Sequence, residues 1–150
     1  MVAKKRTRSQ AGKLARDKGA AFERLVAGLL RPIFPEAKSA RRLQARKGGK
    51  EAPDVEGTPF FVEAKHKAKV NWRAAYQQGL ENTDGRPVVA FVRKNRQPIM
   101  VAMSATTACE LSCGDSIMSD DRLARPVLMA VDDFIGCCFE LASLAEGASY

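Results

Sequence analysis

The stretch Glu51–Lys67, EAPDVEGTPFFVEAKHK, constrains this 150-residue chain more than any other. Its apolar run, Phe60-Phe61-Val62, follows a short turn at Glu56–Pro59 and leads directly into Glu63-Ala64-Lys65. In a β-strand the side chains of residues i and i+2 lie on one face. Glu63 and Lys65 are therefore expected to point one way, Val62 and Ala64 the other, with His66 facing away from the carboxylate–lysine pair. A second carboxylate, Asp54, stands nine residues before Glu63, behind Pro53. A strand edge that sets a carboxylate beside an ammonium, with another carboxylate arriving from a neighbouring strand, is a candidate metal-and-water site.

The rest of the chain can be fitted around that edge. Phe22, Leu25, Val26, Leu29 and Leu30 recur at helical spacing in a segment that turns helical near Ser9, and Pro32 and Pro35 end it. Glu23 borders that apolar stripe, close enough to reach the edge of a core. Ala37–Gln44 reads as a short strand bearing Arg41 and Arg42. The tract that follows, with Arg46, Lys47 and Lys50 around paired glycines, reads as a phosphate-contacting hairpin loop or a flexible flap. It lacks the glycine spacing of a Walker loop. Asn71 can cap a helix starting at Trp72, whose inward stripe is Trp72, Ala75, Tyr76, Gly79 and Leu80, with Gln77 and Gln78 beside it. Pro87–Val92, PVVAFV, is apolar enough for a central strand, and Arg93–Arg96 form the basic turn out of it.

Pro98–Ser104 reads as a neighbouring strand, and Pro126–Val131 as a further one. Asp132 caps a closing helix that runs to about Leu144. Residues 105–125 are weakly patterned and predict a long loop or short helix at the rim, inserted in the domain. The expected fold class is α/β: a central mixed β-sheet flanked by helices, in one domain over residues 11–145. Residues 1–10 are expected to form a disordered basic arm able to lie along a phosphate backbone.

Charge narrows the class of partner. The net charge is +8, with 15 Lys/Arg against 3 Asp/Glu in residues 1–50 and 2 against 8 in residues 101–150. Such segregation suits a polyanion, of which nucleic acid is the usual one. Cys109 and Cys113, and the adjacent Cys137 and Cys138, lack the spacing of a zinc site, and the sole histidine is far away. With no apolar leader and no run approaching a membrane span, the expectation is a cytoplasmic protein with reduced thiols and no membrane partner.

Gly19-Ala20-Ala21-Phe22-Glu23, Arg41/Arg42, Pro53-Asp54 and Glu63-Ala64-Lys65, in that order, resemble the PD-(D/E)XK nuclease superfamily. Within it the likeness is to the small phage and archaeal Holliday junction resolvases. Trp72–Gln77, WRAAYQ, resembles the helix carrying that family's glutamine, favouring Gln77 over Gln78 as the amide facing the site. The segment Phe91–Arg96 and the closing PVLMAVDDF resemble later parts of phage members, while residues 105–125 have no counterpart.

The resemblance implies a restriction-endonuclease-like core and hydrolysis of DNA phosphodiesters that depends on Mg2+, with Mn2+ as a substitute and no organic cofactor. It implies a homodimer cutting branched DNA, in the host cytoplasm if phage-encoded. Glu23, Asp54, Glu63, Lys65 and Gln77 would be catalytic, with Asp54 and Glu63 holding the metal. Arg41, Arg42, Arg46, Lys47, Lys50, Lys67, Arg93 and Arg96 are the candidate DNA contacts. The alternatives are a nuclease of the same type acting on flap, single-stranded or duplex DNA, a non-catalytic basic DNA-binding module, and a small structural or recruitment protein.

Overall fold

The computed structural model describes residues 7–40, 52–113 and 125–147. Helix α1 (Arg8–Leu30) opens on a reciprocal cap: Gln10 N donates to Thr7 Oγ1, and Thr7 N to Gln10 Oε1. The cap places Arg8, Ser9 and Gln10 in the helix rather than in the basic arm; residues 1–6 lie outside the described residues. The first half of α1 is exposed. Its second half turns Phe22, Val26, Ala27 and Leu30 into the core, at the spacing of one helical face.

Strands β1 (Lys38–Ser39), β2 (Val55–Glu56), β3 (Phe61–Lys67), β4 (Val88–Lys94), β5 (Met100–Ser104) and β6 (Pro126–Ala130) form one mixed sheet in chain order. Every neighbouring pair is antiparallel except β3–β4, which is parallel. A parallel pair needs a crossover, and α2 (Trp72–Asn82) supplies it. Asn71 caps α2 through Oδ1, which accepts from Ala74 N. Helices α3 (Ala105–Cys113) and α4 (Val131–Gly147) follow β5 and β6.

Alternation along the strands builds two cores. Val62, Ala64, Val89, Phe91, Val101 and Met103 face α1, α3 and α4, and Phe134 of α4 stacks edge-on against Phe91 with ring centroids 5.6 Å apart. Phe61, Val88, Ala90, Val92 and Ala102 face the other way, against Ala75 and Tyr76 of α2. The architecture is thus a mixed sheet with helices on both faces, and none of its described helices is long and apolar enough to cross a membrane.

Of the two forms expected for the rim segment, Ala105–Cys113 takes the helical one, while residues 114–124 lie outside the described residues. Two local expectations are corrected. Asp132 does not cap α4, because the helix starts one residue earlier at Val131 and takes Asp132 and Asp133 into its first turn, where they oppose the positive end of the helix dipole. Leu80 is 42 % exposed: it lies on the solvent shoulder of α2, beyond the buried Ala75–Tyr76–Gly79 stripe.

Candidate active site

The site forms where β2 meets β3. Val55 pairs with Val62, and the Asp54 N–H donates to the Val62 carbonyl at 2.7 Å. The Asp54 carboxylate turns back onto β3, where Oδ2 accepts the Ala64 N–H at 2.8 Å. That donor belongs to the residue between Glu63 and Lys65. Two consecutive antiparallel segments joined by a short turn therefore bring Asp54, Glu63 and Lys65 to one strand edge.

On β3 the period-two expectation holds. Glu63 is 3 % exposed, and its Oε1 lies 2.5 Å from Lys65 Nζ. His66 is on the opposite face, its ring 5.3 Å from that of Phe22 on α1. There, burial first, and then the nearby charges of Lys18 and Arg93, hold the imidazole below its usual pKa.

Glu63 is covered by α2 through a close approach. A Cβ on Gly79 would sit 2.5 Å from Val88 Cγ1 and 3.8 Å from Glu63 Cβ, so any larger residue there would force Val88 or the helix to shift.

Glu23 reaches the same edge from α1. It is buried, and Ser39 Oγ donates to its Oε2 at 3.5 Å. The next residue, Ala40, donates its N–H to the Asp54 carbonyl at 3.0 Å. A chain of bonded neighbours thus runs from Glu23 through β1 to Asp54 and on to β3. Burying a carboxylate costs several kcal/mol, of order, unless it is paired and hydrogen-bonded. Three such groups, Glu23, Asp54 and Glu63, are all at or below 9 % exposure here.

Lys65 also opens onto a cleft of about 260 Å³ between β3 and α2. Lys67 and Lys69 continue along its rim, with Asn71 and Gln78 opposite. Asn71, Ala74, Ala75 and Gln78 fall at i, i+3, i+4 and i+7, so they share the flank of α2 that faces the cleft. Gln77 does not belong to that flank. It is exposed, and its Nε2 donates to Glu81 Oε1 one turn on, at 3.4 Å. The amide facing Lys65 is Gln78, one residue from the expected position. Both glutamines border the buried stripe, but on opposite sides of it, and the sequence does not say which side meets the cleft.

The remaining candidates are scattered. Arg41, Arg42, Arg46, Lys47 and Lys50 lie outside the described residues. Arg93 donates through Nε to the Gln97 carbonyl, and Arg96 adopts a φ of 60° in the turn after β4. Lys18 of α1 is hydrogen-bonded to Asn95 Oδ1 and pins that turn. Lys69 was missed by sequence reasoning although Lys65, Lys67 and Lys69 alternate, the pattern that puts all three on one face. Lys18 carried no such signal, being 77 residues from Asn95.

As donors, Asp54 and Glu63 offer only oxygen, which fits a hard divalent cation of the Mg2+ type held by one or two carboxylates plus water and phosphate. Among the described residues, no group of three His, Cys, Asp or Glu side chains is arranged to hold a metal ion. Comparison with protein-family models, with curated proteins and with solved structures gave no match.

Proposed function

We propose that this chain is a metal-dependent endodeoxyribonuclease with a restriction-endonuclease-like core and a PD-(D/E)XK-type site, resolving four-way DNA junctions by paired nicks as a homodimer. The observation that carries this reading is the Asp54 carboxylate bonded to Ala64 N–H, between Glu63 and Lys65. It joins an aspartate and an E-x-K strand in the order and at the edge that such chemistry uses. The reading places the protein with DNA in the cytoplasm, the host's if it is phage-encoded.

Asp54 and Glu63 would hold Mg2+, for which Mn2+ would substitute. When bound, the cation supplies Lewis acidity and neutralises charge at the scissile phosphate. The chain's own residues do the rest. Lys65 Nζ orients the attacking water and donates to phosphate oxygen as negative charge builds there. Glu23 helps to order the water, and Gln78 reaches the substrate across the cleft. Lys67 and Lys69 grip backbone phosphates, contacts that position DNA without reading its sequence.

The test is nicking of a synthetic four-way junction in Mg2+, set against linear duplex, flap and single strand. Asp54→Asn and Lys65→Ala are each expected to lower the cleavage rate by about a hundredfold or more, with junction binding retained. Wild-type cleavage by either variant sinks the assignment. Activity confined to flaps or single strands moves the protein to a processing nuclease. Tight binding without metal-dependent cleavage makes it a DNA-binding module, a reading favoured by Lys65 being held on Glu63.

A further inference from the structure

The sheet face that carries Glu63 and Lys65 continues past the start of α2 into a second pocket. Its volume is about 320 Å³, at the small end of the roughly 300–1,000 Å³ of ligand sites, a size for one flat ring system. Trp72, Pro98, Met100 and Leu128 give it apolar walls, and Lys94 and Gln97 give it a polar rim. It adjoins the lysine cleft, because Val70 lines both.

Three features specify an occupant. Trp72, the only tryptophan in the chain, lies half-buried at the first position of α2, and the Arg73 guanidinium sits 4.3 Å from its ring centroid. The indole is thereby braced from one side by a cation–π contact while it lines the pocket. Leu128 on β6 is 39 % exposed, so the sheet leaves an open apolar surface here among the described residues.

The third feature is charge: Lys65, Lys67 and Lys69 line one pocket and Lys94 the other; among the described residues no carboxylate lines either, and of these lysines only Lys65 is paired, with Glu63 behind it. An apolar pocket walled by an indole and adjoining a row of ammonium groups matches a ligand that joins a planar ring to an anionic backbone. Single-stranded nucleic acid is held in this way, by a cationic groove along the backbone and aromatic side chains under the bases. An apolar peptide would fill the slot but leave the lysine row unused.

We propose that this pocket is a base slot, taking one unpaired nucleobase of a DNA strand whose adjoining phosphates lie against Lys65, Lys67 and Lys69. Trp72 stacks on the base. The Gln97 amide, both donor and acceptor, meets its edge. The inference rests on the nucleic-acid reading of the cleft and deepens it: the bound strand gives up one base to the slot, which costs less at a branch point than inside fully paired linear duplex.

Trp72 makes the test direct, since its emission reports the slot alone. The protein is titrated, with divalent metal chelated, against a short single-stranded DNA and against a strand of the same length with every internal position made abasic. The intact strand is expected to quench Trp72. The abasic strand, of equal charge, is expected to bind about five- to a hundredfold more weakly. In an anisotropy assay Trp72→Phe is expected to keep that discrimination and Trp72→Ala to lose it. If Trp72→Ala fails to fold, the intact-versus-abasic comparison on the wild-type chain still decides.

Equal affinity for the two strands, unchanged Trp72 emission, or no binding of either strand overturns the slot. Because no metal is present, cleavage is judged separately. Quenching with discrimination but no nicking in Mg2+ keeps the slot and removes the nuclease reading. Junction nicking with equal affinity for both strands does the reverse.

Discussion

The two ends of the parallel β3–β4 pair handle charge in opposite ways. Where the pair begins, Arg86 is surrounded by acceptors: Nη2 lies 2.7 Å from Asp84 Oδ2 and 3.5 Å from Glu56 Oε2, while Nη1 donates to the Thr58 carbonyl at 3.2 Å. Where the pair ends, Lys67 stands beside Lys94 in register. Among the described residues no carboxylate is paired with Lys67, Lys69 or Lys94. Like charges on facing strand positions cost stability, roughly 0.2–1 kcal/mol a pair. The first end is built to hold the fold. The second concentrates cations at a cost to the fold, and the polyanion proposed above would neutralise them.

The largest effect expected from breaking this comparison is at the structural end. Gly57 has φ +81°, and a Cβ there would lie 2.1 Å from the Glu36 carbonyl oxygen. Backbone cannot move aside as a side chain can. Gly57→Ala is expected to destabilise the protein by about 3 kcal/mol or more in urea unfolding.

Arg86→Ala ranks second, at about 1–3 kcal/mol, since it removes charge-assisted hydrogen bonds that join two loops. It should leave the salt dependence of DNA binding almost unchanged.

Lys67→Gln should behave in the opposite sense at the other end. Stability is expected to rise by about 0.2–0.5 kcal/mol as repulsion from Lys94 is relieved. The slope of log K against log salt for DNA binding should become shallower by about 0.9. A Lys67→Gln protein that loses stability and keeps its salt slope would erase the distinction between the two ends.

The same contrast governs how much could be read in advance. Phe60–Val62 and PVVAFV declare their strands, because burial on one or both faces leaves a periodic trace in the residues themselves. Glu63 beside Lys65, and His66 opposite, follow from that period. Asp54 was legible as a residue but its bond to Ala64 N–H was not, since strand pairing across a turn is decided by non-local contact.

Gln78 rather than Gln77, and Lys18 on Asn95, depend on how a helix is rotated or where its far end lies. Neither leaves a mark in local sequence. Helix α3 was legible only as one of two alternatives, loop or short helix, because its nine residues, ATTACELSC, carry a weak apolar stripe, and only Leu111 and Thr107 among its described side chains are deeply buried. The proposed base slot is the extreme case: its lining comes from three separate stretches of chain, 70–72, 92–100 and Leu128.

A pH dependence confined to the structural end completes the comparison. The Arg86 guanidinium bonded to Asp84 holds that carboxyl at about 2, below its ordinary 3.8. A depressed carboxylate pKa means that the unfolded chain binds the proton more readily than the folded one. The stabilisation is therefore complete above about pH 4 and is lost as pH falls towards 2. Asp84 is half-exposed, so solvent screening limits the effect to about 1 kcal/mol or less. Urea midpoints measured between pH 5 and pH 2 should show this loss in the wild-type protein, and it should shrink in Arg86→Ala, where Asp84 returns towards its ordinary value. Lys67→Gln should retain the acid loss in full, because the lysine end contributes no carboxylate to this pair. If Lys67→Gln removed the loss as thoroughly as Arg86→Ala, the two ends would be electrostatically coupled rather than separate.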